Sequence, residues 1–76
     1  MYHTIEFDTG VWADLEVPGK AHLEQVLIKP GRRLRARVKP YVVESSYGLA
    51  EVADLLLEDG SVARTVRFAC FRFLDE

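Results

Sequence analysis

Residues 49–73, LAEVADLLLEDGSVARTVRFACFRF, decide the fold: two runs of strand-forming residues flank Glu58-Asp59-Gly60. Apolar, β-branched and aromatic residues on both sides of Asp-Gly mark a β-hairpin. Two registers compete for it. A two-residue turn at Asp59-Gly60 sets Leu55 opposite Arg64, Val52 opposite Arg67 and Glu51 opposite Phe68. A three-residue loop, Glu58 to Gly60, pairs Leu56 with Val62, Val52 with Val66 and Ala50 with Phe68. It also joins Asp54 to Arg64 and Glu51 to Arg67. Directly opposed residues contribute roughly 0.2–1 kcal/mol each when they match. The three-residue loop is therefore predicted, with Gly60 free to take the left-handed conformation that closes it.

In that register the hairpin has two faces. Ala53, Leu55, Leu57, Ala63, Ala69, Phe71 and Phe73 share one, with Thr65 and the Glu51–Arg67 pair. Val52, Leu56, Val62, Val66, Phe68 and Cys70 share the other, around Asp54 and Arg64. An antiparallel strand with one face in water alternates cleanly, and this hairpin does not. Either a partner covers the second face, or the twisted sheet folds over and buries both.

Outward from the hairpin, the five glycines and their turn-forming neighbours cut the 76 residues into short segments, the spacing of a small sandwich or barrel. Tyr2–Phe7 and Val11–Val17 read as a hairpin about Asp8-Thr9-Gly10. This pairs Phe7 with Val11, Ile5 with Ala13, His3 with Leu15 and Glu6 with Trp12. Residues 20–29 read as a strand set against the next one, Leu27 opposite Leu34 and Glu24 opposite Arg37. A helix ending at Pro30-Gly31 is the alternative. Pro-Gly also favours a type II turn, which matches strand twist poorly. Leu34–Glu44 alternates well and, through a loop at Gly48, sets Val38 opposite Leu55, Ala36 opposite Leu57, Tyr41 opposite Val52 and Lys39 opposite Asp54. Lys39, Asp54 and Arg64 then form a charged row.

The expected fold is all-β, a small six-stranded antiparallel meander closing into a barrel or roll, with residues 1–76 as one domain. Phe71 and Phe73 close it by pairing with Tyr2–Phe7. The expected interior is Ile5, Phe7, Val11, Ala13, Leu15, Leu27, Leu34, Ala36, Val38, Leu55, Leu57, Ala63, Phe71 and Phe73.

Composition narrows function only a little. The chain is 49% hydrophobic and 29% charged with a formal net charge of −2, so the overall balance selects no class of partner. One cysteine excludes an intrachain disulfide, and a cytoplasmic location fits best. Neither a signal peptide nor a membrane-length apolar run is visible, so no membrane partner is expected.

The charge is nonetheless uneven. Lys29–Lys39 holds six basic residues and no acid, leaving the remainder (four basic, twelve acidic) at −8. Arg32, Arg33, Arg35 and Arg37 are thus candidate phosphate contacts for nucleic acid, with Tyr41 or Trp12 to stack on a base. The ordinary explanation is a solvated face paired with Glu24, Asp14, Glu16 and Asp54. His3, His22 and Cys70 lack ligand spacing, so no metal or cofactor is assigned. Asp8, Asp14, Glu51, Asp54 and Glu58 are explained by turns and cross-strand pairs, and no catalytic residue is assigned.

The leading expectation is a non-enzymatic protein-interaction module, a homodimer or the partner of a larger protein. It would self-associate through Tyr41, Val52, Asp54, Leu56, Val62, Arg64, Val66 and Phe68. A nucleic-acid-binding barrel is second and an enzyme third.

Overall fold

The computed structural model describes residues 1–75. Seven strands make one antiparallel sheet: β1 (His3–Phe7), β2 (Val11–Glu16), β3 (Glu24–Ile28), β4 (Arg33–Ser45), β5 (Gly48–Leu57), β6 (Val62–Arg67) and β7 (Phe71–Phe73). Among the described residues there is no α-helix, only a 3₁₀ turn at Phe68–Cys70. Residues 24–28 are strand, as expected over the helical alternative.

The strand order is β3-β2-β6-β5-β4-β1-β7, which is not a meander. Three residues join β1 to β2 and three join β6 to β7, yet each pair is separated by three intervening strands. Such short connectors require the sheet to curl until β1 and β7 approach β2 and β6. The product is a half-barrel, the all-β roll expected from the sequence.

The β4–β5 hairpin has the predicted register, with Ala36↔Leu57, Val38↔Leu55, Lys39↔Asp54 and Tyr41↔Val52. The closing contact is also as predicted, with Phe7↔Phe71 and Ile5↔Phe73 in register. The turn at Gly60 follows the three-residue form. Gly60 lies at φ 90°, its N–H donates to Leu57 O at 3.1 Å, and Leu56 pairs with Val62.

Three expectations fail. β1 and β2 do not pair: β1 lies between β4 and β7, and β2 between β3 and β6. Ile5 therefore opposes Leu34 and Phe73, and Glu6 opposes Arg33 and Arg72. Asp8-Thr9-Gly10 is a corner instead of a hairpin turn; the N–H groups of Asp8 and Thr9 donate to Cys70 O at 2.8 and 3.4 Å.

β3 pairs with β2, not β4, aligning Trp12 with Leu27 and Ala13 with Val26. Pro30-Gly31 carries the chain across to β4, with Gly31 at φ 86° and its N–H donating to Phe7 O at 2.7 Å. The change of partner reverses which side of β3 faces inward. Val26 and Ile28 join the core while Leu27 stays exposed.

The third failure lies inside the deciding hairpin. Past Leu55↔Ala63 the register slips by one, so Ala53 opposes Val66 and Val52 opposes Arg67. The hairpin thus begins in the three-residue register and ends in the rejected one, with a β-bulge between. A one-residue slip moves every later side chain to the other face. Val66 turns inward and is buried at 1% exposure beside Ala53. Of the second apolar face, Val66, Phe68 and Cys70 join the core past the bulge, whereas Val52, Leu56 and Val62 lie outside that cluster.

The core is Ile5, Phe7, Ala13, Ile28, Ala36, Ala53, Leu55, Ala63, Val66 and Phe71. Val11, Leu15, Leu34, Val38, Leu57 and Phe73 pack against it. Small residues at Ala13, Ala36, Ala53 and Ala63 let the curled sheet close on the rings of Phe7 and Phe71, whose centroids lie 5.7 Å apart.

Candidate functional site

The densest polar cluster is built on the bulge. Asp54 and Arg64 come to it because the register near the turn opposes β5 and β6 there. Asp54 Oδ1 accepts the backbone N–H of Thr65 at 3.0 Å and the Tyr41 hydroxyl at 2.8 Å. With the Tyr41 proton so committed, the Thr65 hydroxyl donates to Tyr41 Oη at 2.9 Å. Arg64 Nη1 donates to Asp54 Oδ2 at 2.8 Å, and its Nη2 donates to Glu16 Oε2 on β2 at 2.6 Å. Burial pushes the Asp54 carboxyl up, but the Thr65 N–H, Arg64 and Tyr41 outweigh it and hold it below the usual carboxylate range. Bonds to Glu16 and then Asp54 hold the Arg64 guanidinium above its ordinary value.

Thr65 itself lies at φ 56°, the one non-glycine residue with positive φ among those described. A β-branched residue there is an outlier, and such strain persists where surrounding bonds over-determine it. Here the Asp54 carboxylate holds the Thr65 N–H and the Tyr41 hydroxyl holds its side chain. The charged row is therefore Asp54–Arg64–Glu16. Lys39 opposes Asp54 on the ladder but forms no ion pair with it.

The proposed contact face on 49–70 is partly withdrawn from the surface. Val52 and Val66 are buried at 2% and 1% exposure, so neither is surface for a partner. Leu56, Val62 and Phe68 are half-buried, while Tyr41 and Arg64 remain exposed. Tyr41 and Phe68 border a hollow of about 280 Å³ with Pro40, Val42 and Glu51.

The arginine run is divided among several neighbours. Arg33 Nε donates to Glu6 Oε1 at 3.1 Å. Arg35 Nη1 donates to Thr4 Oγ1 at 3.2 Å, with Glu58 3.9 Å from its Nε. Arg37 stacks over the Tyr2 ring, 5.4 Å from its centroid. These partners are not the acids expected from the sequence; Glu24, for one, bonds to Lys20 instead. Arg32 and Lys29 have no carboxylate within 4.0 Å among the described residues.

Lys29 and Arg32 instead line a groove of about 450 Å³ inside the open curve of the sheet. Its apolar walls come from Leu15, Val26, Leu27, Ile28, Leu34, Leu57 and Ala63. Sequence reasoning missed it because the walls come from five strands whose order was not legible.

The two sheet edges differ. β7 is three residues long with Arg72 at its centre, and Arg72 Nη2 donates to Glu6 Oε2 at 2.6 Å. β3 is five residues long with an uncharged centre, Gln25-Val26-Leu27, and no strand among the described residues lies beyond it.

His3 Nδ1 lies 3.4 Å from Asp75 Oδ1, and its ring stands edge-on to Phe73 at 5.1 Å. His22 is exposed and Cys70 half-buried. Among the described residues, no three His, Cys, Asp or Glu side chains gather as a metal-ligand set. No helix in that range is long and apolar enough to cross a membrane. No protein-family model, curated protein or solved structure matches the chain.

Proposed function

We propose that the chain is a non-enzymatic interaction module that self-associates, and that the contact runs along the outer edge of β3. The observation that supports this is the unguarded state of that edge. Sheet edges invite pairing unless they are short, charged or covered. β7 is short and centred on a paired arginine, whereas β3 is longer and neutral at its centre. Exposed apolar groups flank β3: Trp12 at 64%, Leu23 at 48% and Leu27 at 46%. Two copies of such a strand pair antiparallel about a two-fold axis, completing each other's backbone hydrogen bonds. Trp12 and Leu27, neighbours on the ladder, add apolar contact beside it.

The choice of this edge over the outer face of 49–70 follows from burial. That face has lost Val52 and Val66 to the interior, and Asp54, Arg64 and Tyr41 are committed to the bulge. Those commitments also favour a structural over a catalytic role for the cluster.

Sedimentation equilibrium over a concentration series, in low and high salt, tests the proposal. A dimer that persists in high salt and becomes monomeric in Leu27→Lys, with an unchanged circular dichroism spectrum, is expected. A wild-type monomer at every concentration overturns self-association. A Leu27→Lys dimer that Phe68→Asp dissociates overturns the β3 edge and returns the contact to the hairpin face.

A further inference from the structure

We propose that the groove inside the half-barrel is a binding site for a single amphiphilic anion, a medium-chain alkyl carboxylate. Its volume of about 450 Å³ lies within the ~300–1,000 Å³ of ordinary small-molecule sites. The walls are aliphatic, and among the described residues no acidic side chain lines it. The charged groups on its lining among those residues are Lys29 and Arg32, both exposed.

Charge complementarity selects the head group. Nearby carboxylates bind other cations: Glu6 holds Arg33 and Arg72, and Asp54 and Glu16 hold Arg64. Lys29 and Arg32 have no such partner within reach among the described residues. Two unpaired cations beside an apolar trough favour a ligand with an anionic end and an alkyl body. A zwitterion or a cation gains nothing from this pair, and a polyanion leaves the trough empty.

The placement of the cations follows from the topology. Lys29-Pro30-Gly31-Arg32 is the connector that crosses from edge strand β3 to β4. It is anchored at Phe7 by Gly31 N–H to Phe7 O at 2.7 Å and Phe7 N–H to Arg32 O at 2.9 Å. The backbone carrying both cations is therefore held against the sheet before a ligand arrives, which limits the ordering cost of binding. The groove is lined within a single chain, Leu27 of β3 included, so it does not need the edge contact proposed above in order to form.

The test is an NMR titration of the full chain with octanoate and decanoate below their micellar limits. Decyl maltoside and decyltrimethylammonium serve as neutral and cationic heads on the same chain. Decanoate is expected to shift the methyl signals of Leu15, Val26, Leu34 and Leu57. It should bind about fifteenfold tighter than octanoate, two methylenes at ~0.8 kcal/mol each.

The double variant Lys29→Gln/Arg32→Gln is expected to weaken decanoate about tenfold, two exposed charge contacts of ordinary size. It should leave decyl maltoside unchanged, and Arg67→Gln, away from the groove, should alter neither. Absence of methyl shifts up to the micellar limit overturns the site. Equal affinity for decanoate and decyltrimethylammonium, or an unchanged double variant, overturns the assigned head group.

Discussion

The backbone N–H of Thr65 donates to Asp54 Oδ1 at 3.0 Å and holds Thr65 at φ 56°. This bond sits where the β5–β6 register slips, between Leu55↔Ala63 and Ala53↔Val66, the step past which Val66 faces inward. Removing the acceptor leaves a left-handed threonine without its anchor, and leaves Tyr41 and Arg64 without a shared partner. Asp54→Ala should lower stability by about 1–3 kcal/mol, read as a shift in the urea midpoint. A loss under about 0.5 kcal/mol, the ordinary scatter of surface changes, would show that the bulge is held by packing alone.

The same carboxylate predicts a pH dependence. Its folded pKa lies below the ordinary value, because the Thr65, Arg64 and Tyr41 bonds outweigh the upward push of burial. A depressed carboxylate contributes stability that is present above its unfolded pKa of about 3.9 and lost as pH falls through the folded value. Hydrogen bonds from Arg72 and then Arg33 lower Glu6 in the same sense. Wild-type stability should therefore fall steadily below pH ~4, and Asp54→Asn should fall less steeply there. Urea melts at intervals from about pH 5 down to about pH 2 decide it; parallel slopes for the two proteins would remove Asp54 as a contributor.

Thr65 is costly where it stands, since a side chain with a Cβ loses roughly 1–2 kcal/mol in the left-handed region. Asparagine tolerates that region better and keeps a polar atom toward Tyr41. Thr65→Asn should thus raise stability by up to about 1 kcal/mol in thermal denaturation. A lower melting temperature would mean that the hydroxyl bond to Tyr41 outweighs the backbone strain.

Gly60 carries two constraints at once. It lies at φ 90°, and an added Cβ would sit 3.3 Å from Pro18 Cγ. Gly48 has φ 109° but open space around it. Both alanine variants are strained, so Gly60→Ala should cost the ~1–2 kcal/mol of a left-handed Cβ plus the displacement of Pro18. Gly48→Ala should cost less, and chemical denaturation of the pair measures the difference. Equal losses would show that Pro18 moves aside at no cost.

The arginine run makes a prediction about polyanions. Arg33 and Arg35 already face Glu6, Thr4 and Glu58, and Arg37 is stacked on Tyr2. A net charge of −2 adds no long-range attraction. Titration with a single-stranded oligonucleotide at low salt should give no saturable response. Binding that weakens steeply with salt and disappears when Arg32, Arg33, Arg35 and Arg37 become serine would instead establish the nucleic-acid reading.

Much of this was legible from residues close in sequence. The Glu58–Gly60 turn, the whole β4–β5 register and the inward set Ile5, Phe7, Ala36, Leu55 and Phe71 follow from alternation and turn chemistry. The bulge leaves only a faint trace there. Ala63 and Val66 are apolar and three apart with two polar residues between, so both can face the core only if the strand slips by one. The groove leaves no such trace, because its walls and its two cations come from separate strands and a connector.

Alternation alone determined that the chain is an all-β roll and which side of most strands is apolar, since side chains in any strand point alternately to the two faces. It did not determine which strand lies beside which. β1 and β2 share the apolar phase of a hairpin, yet the curl of the sheet sets them apart and turns Asp8-Thr9-Gly10 into a corner bonded to Cys70. β3 shows the same limit: its partner, not its own pattern, decided that Val26 and Ile28 face in and Leu27 out. Hairpins joined by a tight turn are settled locally, because the loop admits few registers. Neighbours brought together by the closing of the sheet are settled by how the whole core packs.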